Sequence, residues 1–78
     1  MRTITVLGTT GCRLCDEAEP MVERIAARLG YTVEQRDIAL DDALLARYAE
    51  RIPVVRRPER DADLPWPFDA DDLYRFLL

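Results

Sequence analysis

Polar and apolar residues alternate from Thr3 to Leu7, with Ile4 and Val6 against Thr3 and Thr5, before a turn cluster at Gly8, Thr9, Thr10 and Gly11. A period of two ended by turn residues predicts a first strand that runs into a loop. From Arg13 to Leu29 the period lengthens: Leu14, Ala18, Met21, Val22, Ile25, Ala26 and Leu29 recur at three- and four-residue spacing. That spacing predicts a helix of about four to five turns, and Gly30 stands where a left-handed cap belongs. Pro20 lies inside it, removes one backbone hydrogen bond and predicts a bend. Alternation returns from Tyr31 to Arg36, with Tyr31 and Val33 on one side and Thr32, Glu34 and Arg36 on the other, the pattern of an edge strand. Strand, helix and strand within about thirty residues make a right-handed βαβ unit with parallel strands.

Beyond it, Asp41 is placed to cap a helix containing Leu44, Leu45 and Tyr48, with Leu40 positioned to staple onto Leu45. Ile52 to Arg56 predicts a short strand opened by Pro53, and Ala62 to Leu64 an antiparallel return after the turn Pro58-Glu59-Arg60-Asp61. A last helix is marked by Asp69 as N-cap, Asp72 three residues on, Phe68 and Leu73 in staple positions, and an apolar face of Leu73, Phe76 and Leu77. The pattern is βαβ-α-ββα in a single domain over residues 1–78, without repeats, linkers or low-complexity segments.

Composition narrows what such a domain does. The chain has 78 residues, 49% hydrophobic and 33% charged, as in ordinary soluble domains. It contains no His, Lys, Ser or Asn, which excludes a Ser/His triad, a Lys Schiff base, a P-loop and any His-ligated metal site. All 11 basic residues are Arg, against 15 acids, and the net charge of −4 has the wrong sign for holding nucleic acid by its phosphates. No stretch of about 18 apolar residues predicts a membrane span, and Met1 to Leu7 lacks the form of a signal peptide, so a cytoplasmic location is expected. A chain this short supports only a few kcal/mol of net stability from one core, roughly 3–5. A bridge between Cys12 and Cys15 closes too short a loop to constrain the unfolded chain much, so the pair points to chemistry rather than stabilisation.

Cys12-Arg13-Leu14-Cys15 stands at the junction of the first strand and the long helix, the setting of a thioredoxin-like redox motif. At the amino end of the helix, unpaired N–H groups and the macrodipole stabilise a thiolate at Cys12, and Arg13 adds a cation beside it. Cys15, one turn further in and next to Asp16 and Glu17, is less favoured as a second thiolate and fits the resolving role. Other uses of the pair are two small apolar residues at a helix start, half of a zinc site completed by carboxylates or another subunit, and a cluster bridged between subunits with an external thiol. No metal is expected.

Taken with Ile52-Pro53 opening the third strand and Trp66-Pro67-Phe68-Asp69 before the last helix, the motif makes the chain resemble the short bacterial glutaredoxin-like proteins of the thioredoxin superfamily over nearly its whole length. The resemblance implies an α/β thioredoxin-like fold: a four-stranded mixed sheet in spatial order second, first, third, fourth, with helices on both faces. It also implies that Pro53 is a cis-proline lying against the cysteines and that the backbone of Ile52 pairs with bound substrate. Arg51-Ile52-Pro53 departs from the Thr-Val-Pro segment with which glutaredoxins hold glutathione. Pro65-Trp66-Pro67-Phe68 replaces a Gly-Gly turn where backbone must approach the ligand closely. No lysine precedes the motif, so Arg13 is the nearest cation.

The expected activity is dithiol-disulfide exchange on protein or small-molecule disulfides by a monomer, with Cys12 as nucleophile and Cys15 as resolving thiol. Arg13, Ile52, Pro53 and Trp66 are the expected substrate-binding residues. No cofactor is expected to be tightly bound; glutathione, its binding motif incomplete, or a thioredoxin-reductase-type donor would supply electrons. The alternative is a non-catalytic binding or redox-sensing module docking a partner on Trp66 and the Pro53 face. Trp66 and Phe68 also have a plain use as core, Asp69 and Asp71 as helix-capping residues rather than partners of an ammonium group, and Arg56, Arg57 and Arg60 as a solvated hairpin edge.

Overall fold

The computed structural model describes residues 2–78. Strand β1 (Arg2–Gly8) leads into helix α1 (Arg13–Leu29), strand β2 (Tyr31–Asp37), a 3-10 turn (Ile38–Leu40) and helix α2 (Asp42–Tyr48). Strands β3 (Val54–Arg57) and β4 (Ala62–Pro65) flank a second 3-10 turn (Pro58–Arg60), and helix α3 (Ala70–Leu77) ends the order. β1 pairs parallel with β2 and antiparallel with β3, which pairs antiparallel with β4, so the sheet runs β2-β1-β3-β4. The α/β class, the mixed four-stranded sheet and the expected strand order are therefore found.

Alternation along the central strands divides the core in two. Ile4 and Val55 face α1 and α3, packing with Val22, Ile25, Phe68, Leu73 and Leu77. Leu7 and Val54, one pleat out of phase, face α2 and pack with Ile38 and Tyr48. Gly30 (φ 81°) closes α1, its N–H reaching the carbonyls of Ala26 and Ala27, and α1 continues through Pro20 as one helix. Asp41 caps α2, accepting from the N–H groups of Ala43 and Leu44, and Asp69 and Asp72 complete the capping box of α3.

Three details depart from the sequence expectations. Leu40 is 86% exposed, so the staple onto Leu45 is not made; the 3-10 turn carries Ile38 inward in its place. Leu14 lies off the apolar face of α1, 42% exposed between the two cysteines. Of the hairpin arginines, Arg60 is exposed as expected, but Arg56 and Arg57 do not simply solvate an edge. Arg57 is buried, donating to the carbonyl of Phe76 at 2.7 Å and to Glu59 at 3.1 Å, and Arg56 is bonded to Asp61 and Asp63. Backbone register explains this: Arg57 points to the face covered by α3 and Arg56 to the face covered by α2, where each finds acceptors.

Candidate functional site

Cys12 is the N-cap of α1, with extended backbone (φ −85°, ψ 106°). Its N–H is tied to the carbonyl of Thr9 at 3.3 Å, and its carbonyl accepts the first helical bond from Asp16 at 3.1 Å. Caps are usually Ser, Thr, Asp or Asn, whose oxygen takes an orphan N–H of the first turn. Here sulfur does so: Cys12 Sγ accepts from the N–H of Cys15 at 3.1 Å. A reduced Cys12 in this position presents its thiolate to that N–H and to the positive end of the helix, both of which favour the anion. The two sulfurs are joined as a disulfide, with Cα atoms 5.2 Å apart.

Both cysteines are half-buried, and Arg13 and Leu14 between them are exposed. Cys15 lies over the end of β1. A Cβ built on Gly8 would stand 3.0 Å from Cys15 Sγ, so the missing side chain is what lets the sulfur approach the strand. A cavity of about 360 Å³ opens beside it, between β1, α1 and β2, with Thr9, Thr10, Cys15, Asp16, Glu19 and Asp37 on its wall.

Pro53 enters from the other side of β1. Pairing of β1 with β3 ends at Leu7 and Val54, which puts Pro53 at the register position across from Gly8. The Ile52–Pro53 and Trp66–Pro67 bonds are both cis. The Pro53 carbonyl accepts from the N–H of Trp66 at 2.9 Å, and the N–H of Arg51 donates to the Tyr48 carbonyl at 2.8 Å, so β4 and α2 hold the segment from both ends. Ile52 packs half-buried with Tyr48 and Leu7, while Trp66 rests against the α1–α3 core with its ring edge-on to Phe68 at 5.1 Å. Trp66 thus combines packing with a backbone tie to Pro53. Over residues 3–78 the chain matches the family model described as Glutaredoxin-like domain (DUF836). It belongs to this glutaredoxin-like family.

Solved structures agree with this membership. The X-ray structure of the Northeast Structural Genomics target protein XcR50 from X. campestris superposes with a TM-score of 0.81 at 34% identity, covering 95% of this chain and 93% of that one. Its solution structure gives 0.78 over 99% and 92%. The solution structure of Ne2328 from Nitrosomonas europaea gives a TM-score of 0.83 at 26% identity, covering 99% of this chain and 92% of that one. No curated protein matches the chain.

Within this glutaredoxin-like frame, sequence reasoning missed Gly8, Asp37 and the anchoring of the Pro53 segment by Tyr48. The pattern marks Gly8 only as a turn residue and leaves Asp37 just past the predicted strand; strand register and the shared cavity are what bring both to Cys15. Asp69 accepts from the N–H of Asp72 at 2.8 Å, and its own N–H donates to Asp72 at 3.0 Å, so its carboxylate serves the helix. Among the described residues no group of three or more metal-ligating side chains is assembled, and no helix is long and apolar enough to cross a membrane.

Proposed function

We propose that the protein is a dithiol-disulfide oxidoreductase, with Cys12 as nucleophile and Cys15 as resolving thiol. The observation that carries this is the Cys12 sulfur at the N-cap of α1, receiving the Cys15 N–H and bonded to Cys15 itself, in a chain of the glutaredoxin-like family. In the forward direction the Cys12 thiolate attacks a substrate disulfide R–S–S–R′, forming Cys12–S–S–R and releasing R′S⁻. Cys15 then attacks the Cys12 sulfur, RS⁻ leaves, and the intramolecular bond forms. Two electrons pass from the dithiol to the substrate, and a thiol donor such as glutathione, or a thioredoxin-reductase-type donor, returns them. Pro53 and Ile52 shape the edge along which an extended substrate lies, Trp66 walls that edge, and Arg13 adds positive charge beside the Cys12 thiolate. Substrates in this reading are protein or small-molecule disulfides.

The test equilibrates the protein across glutathione redox buffers, quenches with an alkylating reagent and identifies free, paired and glutathionylated thiols by mass. A Cys12–Cys15 bond that titrates between about −270 and −120 mV supports the assignment. Both thiols remaining free throughout overturns it in favour of a non-catalytic binding module. Cys12→Ser abolishes exchange, and Cys15→Ser leaves mixed disulfides trapped at Cys12. Exchange that survives Cys12→Ser refutes the assigned roles.

A further inference from the structure

Cys15 meets the sheet at Gly8, and Gly8 is paired in register with Asp37 of β2. Paired residues of parallel strands send their side chains to the same face and stand about 4.8 Å apart. Asp37 is thus the neighbour of the Cys15 sulfur across β1, and the two line one cavity. Asp37 is half-buried; its Oδ1 accepts from the N–H of Ala39 at 2.9 Å, and it makes no ion pair among the described residues. Arg36, one residue earlier, also borders the cavity, but its guanidinium is exposed and lies 3.8 Å from Glu34, which shares its charge.

The other charges around Cys15 are Asp16 and Glu19 of α1 and Arg36 of β2 in the cavity wall, and Arg13 and Glu17 on the exposed side of the same turns of α1. The strand end and loop at Gly8, Thr9 and Thr10 bring none. Asp16 and Glu19 are exposed and carry no hydrogen bond among the described residues that fixes their carboxylates, whereas Asp37, also reached by water, is half-buried and held in place by its bond to Ala39.

We infer that Asp37 is a positioning residue for the Cys15 proton: its charge holds Cys15 as a thiol while Cys12 is a thiolate, and so delays the resolving step. The inference rests on Cys15 being the resolving thiol. In that step the Cys15 S–H gives its proton to water, the Cys15–Cys12 bond forms, the Cys12–SR bond breaks, and RS⁻ leaves and takes up a proton. No further oxidant or reductant enters. A carboxylate beside the sulfur opposes the thiolate that must form first, so the mixed disulfide at Cys12 persists longer and resolves faster as pH rises.

The experiment titrates the reduced full chain, labelled with ¹³C at cysteine Cβ, by NMR, comparing the unaltered protein with Asp37→Asn and Glu17→Gln. Asn keeps the oxygen that accepts from Ala39, so the turn is retained while the charge is lost. Asp37→Asn raises the acid dissociation constant of Cys15 about threefold, the order expected for the loss of one neighbouring charge in a wet groove. Cys12 moves less, and the pH profile of thiol release from a preformed Cys12–glutathione adduct shifts to lower pH by the same amount. An unchanged Cys15 titration, or an equal change in Glu17→Gln, overturns the inference. The titration needs no turnover, so it stands apart from the exchange reading, which the Cys12 and Cys15 substitutions test separately.

Discussion

Replacing Tyr48 by Phe isolates the link between α2 and the hairpin that flanks the Pro53 segment. Tyr48 is the largest fully buried side chain among the described residues, packed with Leu7, Ile38 and Val54, and its hydroxyl donates to Asp63 Oδ2 at 2.8 Å. Phe keeps the ring and its contacts and deletes only that bond. A hydrogen bond to a charged group contributes roughly 1.5–3 kcal/mol. The low end applies here, because Asp63 keeps Arg56 and, at 3.9 Å, Arg47, and its side chain is 19% exposed, so water replaces the lost donor. A loss of about 1.5 kcal/mol in a domain of this size lowers Tm by roughly 6–12 °C. The assay is urea and thermal unfolding of the unaltered protein, Tyr48→Phe, Asp63→Asn and the double variant, which gives the coupling energy directly.

A pH series adds a second check. Burial first, and the bond to Asp63 second, raise the Tyr48 hydroxyl above its ordinary pKa. The folded state therefore keeps this proton at pH values where the unfolded chain, titrating near about 10, has lost it. That contribution is complete below about pH 10 and is lost as pH rises through the folded value, so the gap between the two proteins narrows in alkali. A Tyr48→Phe protein with unchanged Tm, or a coupling energy of zero with Asp63, refutes the reasoning.

Two further outcomes follow from the same geometry. Gly8→Ala places a methyl group 3.0 Å from Cys15 Sγ, which a free thiol relieves by rotating and a closed disulfide does not. The dithiol fraction at a given glutathione ratio therefore rises, and an unchanged ratio speaks against close approach at Gly8. Asp69→Ala removes the cap of α3: the N–H of Asp72 above all holds the Asp69 carboxyl below its ordinary value, with smaller help from the Arg75 charge and the N–H of Asp71. The stability it supplies is present above about pH 4 and is lost as pH falls through the depressed folded value. Thermal melts of the unaltered protein and of Asp69→Ala accordingly converge in acid; curves that stay parallel across that range contradict the capping role.

Local pattern carries far in this chain because its elements announce themselves. The N-caps at Asp41 and Asp69, the left-handed Gly30, the alternation about Ile4 and Val33 and the staple of Phe68 and Leu73 depend on residues a few positions apart, so periodicity and capping chemistry suffice to find them. The Cys12-x-x-Cys15 pair belongs to the same class, since a helix start sets both its spacing and its electrostatic asymmetry. What lies around the pair is decided by register. Gly8 is adjacent to Cys15 because α1 returns over β1, Asp37 borders the same cavity because β2 pairs in parallel, and Pro53 takes the register position across from Gly8 because β3 enters antiparallel on the other side. Tertiary pairing likewise turned Arg57 and Arg56 from members of a surface run into a buried helix tie and a carboxylate network, leaving Arg60 exposed. The sense of each side chain on a strand depends on a period of two, and a one-residue shift in pairing reverses it. Sequence therefore determined the elements and the reactive pair, while the sheet's register alone decided which charges and backbone groups that pair meets.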